Sequence, residues 1–437
     1  AVSFSKSPLI SIAIIVLSIP QSLANGGFVK KIWAFYNGTI EKRRKQYWIA
    51  GELTTERAIP QHKITRSDKF IFNLHFRIKK HLLTRVLKIL NTRFLQSLLG
   101  TLIKSITYII TPLYLLDKII KGTMTIGDFT FFEQKFIDFS WDIDSLLGDI
   151  VNSTDTASYI TYVRHLFELK PVVISGTRKV KQDIPPLIEF KNVSFKYPRS
   201  NPYALKDINL KIEPGQEIAI VGENGAGKTT LIKLLLRFYD PTKGTILING
   251  IPLQKVNLKS YYKLLSALFQ EYNKYGELTV KENIYMGKTT QRMNMNKIRK
   301  AAKLADADKF INNLDHGYNQ ILNKRFSNGT NLSTGQWQKI ALARMFYRDT
   351  PVLILDEPTA SIDAVAEYKI FKRIYSFIKN KTVIIISHRF STVRNAKKIY
   401  VLDKGKLVES GTHDKLLKLK GKYAEAFKLQ AEGYQNQ

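Results

Sequence analysis

The stretch EIAIVGENGAGKTTLIKLLL, Glu217–Leu236, decides the fold. Ile218 to Val221 form an uninterrupted apolar run, the pattern of a strand buried on both faces. A glycine-rich turn follows, and then apolar residues at helical spacing. Gly222, Gly227, Lys228 and Thr229 fit G-x-x-x-x-G-K-[ST]. In such a loop the glycines let backbone N–H groups curl round phosphate oxygens without side-chain obstruction. Lys228 is then placed to reach the β- and γ-phosphates of a nucleotide, and Thr229 to put its hydroxyl on Mg²⁺.

Working outward, other strands end in polar residues of matching chemistry. In PVLILDEPTA, residues 351–360, an apolar strand ends in two acids. Adjacent carboxylates at the end of a buried strand are costly without a cation. Asp356 is the candidate to hold Mg²⁺ through water, and Glu357 to orient or deprotonate an attacking water. TVIIISHRF, residues 382–390, ends in Ser387-His388 at the edge where α/β sheets place their ligand crevice. His388 is therefore a candidate for the γ-phosphate and the attacking water. Gln270 is either a sensor of Mg²⁺ and water or a surface glutamine. Tyr197, in SFKYP, either stacks on adenine or packs on the sheet edge. NLSTGQWQKIALARM, Asn331–Met345, places Ser, Thr and Gly where a second apolar-periodic helix begins. Helix N-termini suit anions, so this chain carries two phosphate-type sites far apart in sequence.

Residues 187–432 alternate strands and helices and read as one α/β nucleotide-binding domain. The segment 171–186, closed by Pro185-Pro186, reads as a linker. Residues 1–170 differ in kind. Three apolar stretches, about 8–25, 94–116 and 128–150, read as membrane spans, and 28–93 as a polar helical extension with 16 Lys/Arg against 4 Asp/Glu. The first stretch by itself fits a secretory signal peptide equally well. The basic block places 28–93 in the cytosol by the positive-inside rule, with the second span leaving and the third returning. Asp138, Asp142 and Asp149 fall on one face of the third stretch, lining either a pathway for a cationic substrate or a cytosolic part of the helix. The whole chain carries 68 Lys+Arg against 36 Asp+Glu, a net +32, and no cysteine. A disulfide framework and thiolate metal sites are thereby excluded. The charge alone fits nucleic acid, anionic lipid or nucleotide.

In order, the P-loop, the Gln270 loop, LSTGQ, LILDEP, SIDA and SHR resemble the ATP-binding cassette of ABC transporters, over all of 187–432. The part before them resembles the last membrane helices of an exporter-type half-transporter subunit, similar to bacterial peptide and multidrug exporters. The resemblance implies an α-helical membrane domain followed by an α/β P-loop NTPase domain of the ABC type. It adds Asn224, Gly225, Thr230 and Gln336 to the nucleotide-contacting set. It also implies that two cassettes dimerise head to tail, so that Ser333 and the Gly335 N–H touch ATP held by the other subunit, with Asp363 of SIDA at the same interface. The two phosphate sites then become halves of one. The family's usual signature is L-S-G-G-Q, and here Thr334 replaces the first glycine.

A signal peptide would carry the cassette away from ATP, so the first stretch is read as a membrane helix. The segment Leu53 to Arg66 resembles the coupling helix that meets the partner's cassette. Six spans are the family's complement, so about half of the membrane domain is expected upstream. The expected activity is ATP-driven export across the cell membrane with the cassette in the cytoplasm. ATP and Mg²⁺ are the expected cofactors, and a second ABC subunit, the lipid membrane and an unassigned exported substrate the partners, with no nucleic acid. Two rival classes are a soluble nucleic-acid-associated ABC ATPase and a membrane-anchored ATP-binding module without turnover.

Overall fold

The computed structural model describes residues 8–55, 58–181, 183–358, 371, 380–387, 389 and 393–435, with backbone alone at 154, 155, 158 and 431–435. The chain divides into two compact units, Ala1–Lys170 and Pro171–Gln437.

The first unit is helical: α1 (Pro8–Gly38), α2 (Ile40–Thr54), α3 (Ile59–Thr65), α4 (Asp68–Ile120) and α5 (Ile126–Glu168). Pro60 sits in the first turn of α3, where its missing N–H has no partner to lose. The apolar stretches are segments of longer helices. At about 1.5 Å per residue, α4 is roughly 80 Å long, well over twice a bilayer's hydrocarbon core. Its basic first half and apolar second half are one unbroken rod. Among the described residues two helices, α1 and α4, are long and apolar enough to cross a membrane. The expected third, α5, has the length, at 43 residues. Its Glu133, Lys135, Asp138, Asp142, Asp144 and Asp149 give it a different composition, so the count of three spans narrows to two on this criterion.

Helices α1, α4 and α5 share a small apolar cluster of Ile10, Ile14, Leu115, Phe132 and Phe136. α1 and α4 approach closely where Gly100 faces Gln21: a Cβ at Gly100 would lie 2.6 Å from Gln21 Oε1 and 3.0 Å from its Cα. Gln21 Nε2 also donates to Ser97 Oγ at 2.9 Å. Lys104, the one charge within residues 94–116 of α4, is buried and pairs with Asp144 of α5. Of the three aspartates on one face of α5, Asp138 accepts from Gln134 (2.9 Å) and Lys135 (3.0 Å), while Asp142 and Asp149 are exposed.

The second unit holds two sheets. A four-stranded antiparallel sheet has the order β2-β1-β4-β5: β1 (Ile188–Phe195), β2 (Leu205–Ile212), β4 (Lys243–Ile248) and β5 (Ile251–Pro252). A six-stranded sheet has the order β10-β9-β3-β8-β7-β6. Its strands are β3 (Glu217–Val221), β6 (Leu265–Leu268), β7 (Val352–Asp356), β8 (Thr382–Ile386), β9 (Lys398–Asp403) and β10 (Lys406–Gly411). All its pairings are parallel except β10 with β9. β7 and β8 are buried at every position, as continuous apolar runs require when helices cover both faces. Residues 174–180, within the stretch read as a linker, are bonded to this unit: Gly176 N donates to Val256 O at 3.1 Å, Arg178 N to Lys255 O at 3.0 Å, and Arg237 Nη2 to Ile174 O at 2.7 Å.

Candidate functional site

Because β3, β6, β7 and β8 run parallel, the residues that follow them come to one edge of the sheet. The loop 222–227 leaves β3 there, Gln270 follows β6, Glu357 follows β7 and Ser387 follows β8. This is the edge at which such sheets bind ligands.

The loop needs its glycines. Gly227 has φ +106°, and a Cβ there would meet Ala204 O at 3.0 Å; at Gly222, with φ +153°, it would lie 2.2 Å from Leu402 O. Gly227 caps α6 (Lys228–Leu235), whose first turn carries Lys228, Thr229 and Thr230. Lys228 is buried, and its Nζ donates to Gly222 O at 2.7 Å and Glu223 O at 2.9 Å. Burial lowers its pKa, while Glu357 and Asp356 act in the opposite sense. Asn224 and Gly225 on the loop and Thr229 in the helix's first turn are exposed. Thr230 Oγ1 is 3.0 Å from the Tyr197 hydroxyl. Tyr197 stands edge-on to Phe195 and Tyr239, with ring centroids 5.0 and 5.4 Å away. It thus packs on the sheet edge and touches the phosphate-loop helix at once.

Asp356 ends β7 and is 4 % exposed. Burial, reinforced by the charge of Glu357, pushes its pKa up to about 6. Glu357 takes the left-handed conformation, φ +48°, and its N–H donates to Ile386 O at 2.9 Å. A non-glycine residue held there stores strain, a feature that clusters at functional sites. Gln270 Nε2 donates to Glu357 Oε2 at 3.0 Å. The structure therefore brings Lys228, Asp356, Glu357 and Gln270 together. Asp356, the Thr229 hydroxyl and the Gln270 amide are oxygen donors of the kind that suits a hard divalent cation. A buried carboxylate whose ionisation is penalised is one that a cation would relieve.

Ser333 and its neighbours lie elsewhere. Ser333 is the N-cap of α8 (Thr334–Arg348; α7 is Met295–Leu304, the longest of the short helices between α6 and α8). Gln336 N donates to Ser333 Oγ at 3.2 Å, and Ser333 N to Gln336 Oε1 at 2.9 Å, a complete capping box. The exposed Ser333 and Thr334 and the half-buried Gly335 form the first turn. Alternate residues of a strand face opposite sides. Val352 and Ile354 pack with Leu231 and Leu235 of α6, whereas Leu353 and Leu355 pack with Trp337 and Ile340 of α8. The two phosphate-type helices thus cover opposite faces of one sheet. Asp363 and His388 lie outside the described residues.

Two side chains that sequence spacing did not single out touch this machinery. The Tyr272 hydroxyl donates to Thr334 O at 3.0 Å, and Gln338 Nε2 to Pro358 O at 2.6 Å.

Residues 205–360 match the ABC transporter family. The chain is 33% identical over 377 residues to the subtilin transport ATP-binding protein SpaT of Bacillus subtilis, covering 86% of this chain and 61% of that protein. It is 42% identical over 243 residues to the ATP-dependent lipid A-core flippase of Hahella chejuensis, 56% of this chain and 41% of the flippase. Among solved structures, a bacterial Atm1-family ABC exporter with ATP bound superposes with a TM-score of 0.77 at 26% identity, covering 94% of this chain and 72% of the exporter. The chain thus spans about three fifths or less of the length of these curated relatives. Residues 205–360 thus carry the ABC transporter family's domain, and the chain as a whole resembles ABC transport proteins, an exporter of known structure among them.

Proposed function

We propose that the chain is a subunit of an ATP-driven exporter in the cell membrane, with its cassette in the cytoplasm and a second ABC subunit as its partner. The observation that carries the ATPase reading is the convergence of Lys228, Asp356, Glu357 and Gln270 at one sheet edge, with Gln270 bonded to Glu357 at 3.0 Å. In this reading Gly222, Asn224, Gly225, Gly227 and Thr230 cradle phosphate, Tyr197 faces adenine, and Lys228 trades its loop carbonyls for the β- and γ-phosphates. Thr229, Asp356 and Gln270 hold Mg²⁺, which when bound neutralises phosphate charge. Glu357, strained and oriented by Gln270, positions the attacking water and takes its proton. His388 contacts the γ-phosphate.

The two faces of the sheet argue for a dimer. A phosphate loop on one face and the Ser333 cap on the other do not close on one nucleotide within a chain, but two chains head to tail pair them twice. Ser333, the Gly335 N–H, Gln336 and Asp363 then meet the partner's ATP. The short helix α3, with Ile64 85% exposed, is the segment that meets the partner's cassette. α5 serves as a third crossing, its Asp144 neutralised by Lys104. Closure on ATP biases the membrane helices towards the outward-facing state, and hydrolysis resets them.

Glu357→Gln tests the reading. ATP binding should persist, and hydrolysis should fall about a hundredfold or more, the usual contribution of a general base. Turnover within a few-fold of the parent protein would remove Glu357 from this role.

A further inference from the structure

We propose that a hydrogen-bonded link through Tyr272 and Gln338 ties the Ser333 cap, which serves the partner's nucleotide, to Glu357, which serves the chain's own. The proposal rests on the composite-site reading above and gives it a physical connection between the two sites.

The link is a closed circuit. Glu357 is bonded to Gln270 at 3.0 Å. Two residues on, the Tyr272 hydroxyl donates to Thr334 O at 3.0 Å, in the turn that Ser333 caps. Arg344 Nη1, further along α8, donates to Asn273 O at 3.1 Å and pins the same loop to the same helix. Just over one turn after Thr334, Gln338 Nε2 donates to Pro358 O at 2.6 Å, and Pro358 follows Glu357 directly. A shift of the first turn of α8 therefore pulls on Glu357 from two sides.

Gln338 is poorly explained as packing. It is 3 % exposed within an apolar cluster, and its Oε1 is buried without a hydrogen-bond partner among the described residues. Such an orphan acceptor is unfavourable, and a leucine of similar length would avoid it. Among the described residues the side-chain amide makes one hydrogen bond, to the backbone of a residue adjoining a strained glutamate, and that bond accounts for it. Glu357 at φ +48° is held there by its surroundings, and the anchored Pro358 carbonyl next to it is one of the points that fix where its carboxylate lies.

The test uses the assembled transporter with one working site. In a mixed dimer of Lys228→Ala and Ser333→Arg chains, the working site takes its P-loop and Glu357 from the Ser333→Arg chain and its signature from the Lys228→Ala chain. Gln338→Leu is added to one chain or the other. The link predicts a fall in kcat of about three- to tenfold from either placement, the scale of one lost hydrogen bond, with KM for ATP little changed. The melting temperature should hold or rise. Tyr272→Phe, which removes only a hydroxyl, should reproduce the fall from either chain. Both changes in one chain should cost little more than one, since a circuit opens once. Loss confined to one placement would reduce Gln338 to a local support and overturn the link, as would a Tyr272→Phe chain at the parent rate. A parent mixed dimer that forms but is inactive, while the mixed dimer of parent protein with the Lys228→Ala/Ser333→Arg double variant is active, would instead overturn the composite site, and the link with it.

Discussion

Asp356 shows how burial sets chemistry at a single residue. Its carboxyl ionises near pH 6 in the folded chain, against 3.8 for the ordinary group, because burial and the Glu357 charge oppose ionisation. The protonated form is thus favoured by folding. Below pH 3.8 the group has no adverse effect; between 3.8 and about 6 its ionisation progressively weakens the nucleotide-free fold; above 6 the full penalty, up to about 3 kcal/mol, is present. Asp356→Asn should therefore raise the melting temperature of nucleotide-free protein at pH 7.5, with a benefit that shrinks towards pH 4. The same variant should lose Mg²⁺-dependent hydrolysis. A variant that melts lower than the parent at pH 7.5 would contradict the penalty. Residues such as Asp356, Glu357, Lys228 and Ser333 were readable from the sequence because strand, turn and helix hold them at fixed spacing. Tyr272 and Gln338 were not, since hydrogen bonds spanning 62 and 20 residues leave no local pattern.

Elements were legible where hydrophobicity and geometry coincide. β3, β7 and β8 are apolar apart from one terminal residue each, Glu217, Asp356 and Thr382, because helices cover both their faces, so composition marks their extent. The long helices are different. Hydropathy reports the solvent around a helix, while its backbone hydrogen bonds continue through any solvent. α4 consequently runs unbroken past Arg93, where the sequence changes from basic to apolar, and α1 runs past Phe28 to Gly38. What fixes α1 against α4 is instead a missing side chain. Gly100→Val would put a Cβ 2.6 Å from Gln21 Oε1 and 3.1 Å from its backbone nitrogen, so the helices must part. The cost should be about 1–3 kcal/mol, typical of overpacking, read as a melting temperature several degrees lower in detergent. An unchanged melt would mean that α1 and α4 do not meet at Gly100 in the membrane.

For the whole molecule, the net charge of +32 discriminates little, since 28–93 alone holds 16 basic residues against 4 acidic, a composition that suits anionic lipid as well as nucleic acid. The decisive property is that one sheet carries a P-loop helix on one face and a Ser333-capped helix on the other. If each nucleotide is shared between chains, Lys228→Ala and Ser333→Arg disable different halves of the site. Each protein alone should be inactive. A mixed dimer has one site with both defects and one with neither, so mixing should restore up to about half the activity per dimer, provided one intact site fires alone. If both motifs served the same chain's ATP, every site in the mixture would carry a defect. Activity that stays at the level of the separate variants, with mixed dimers shown to form, therefore counts against sharing. A mixture of parent protein with the double variant supplies the control. Its mixed dimer has two broken sites if nucleotides are shared and one intact site if they are not, so the two arrangements predict opposite outcomes in the two mixtures.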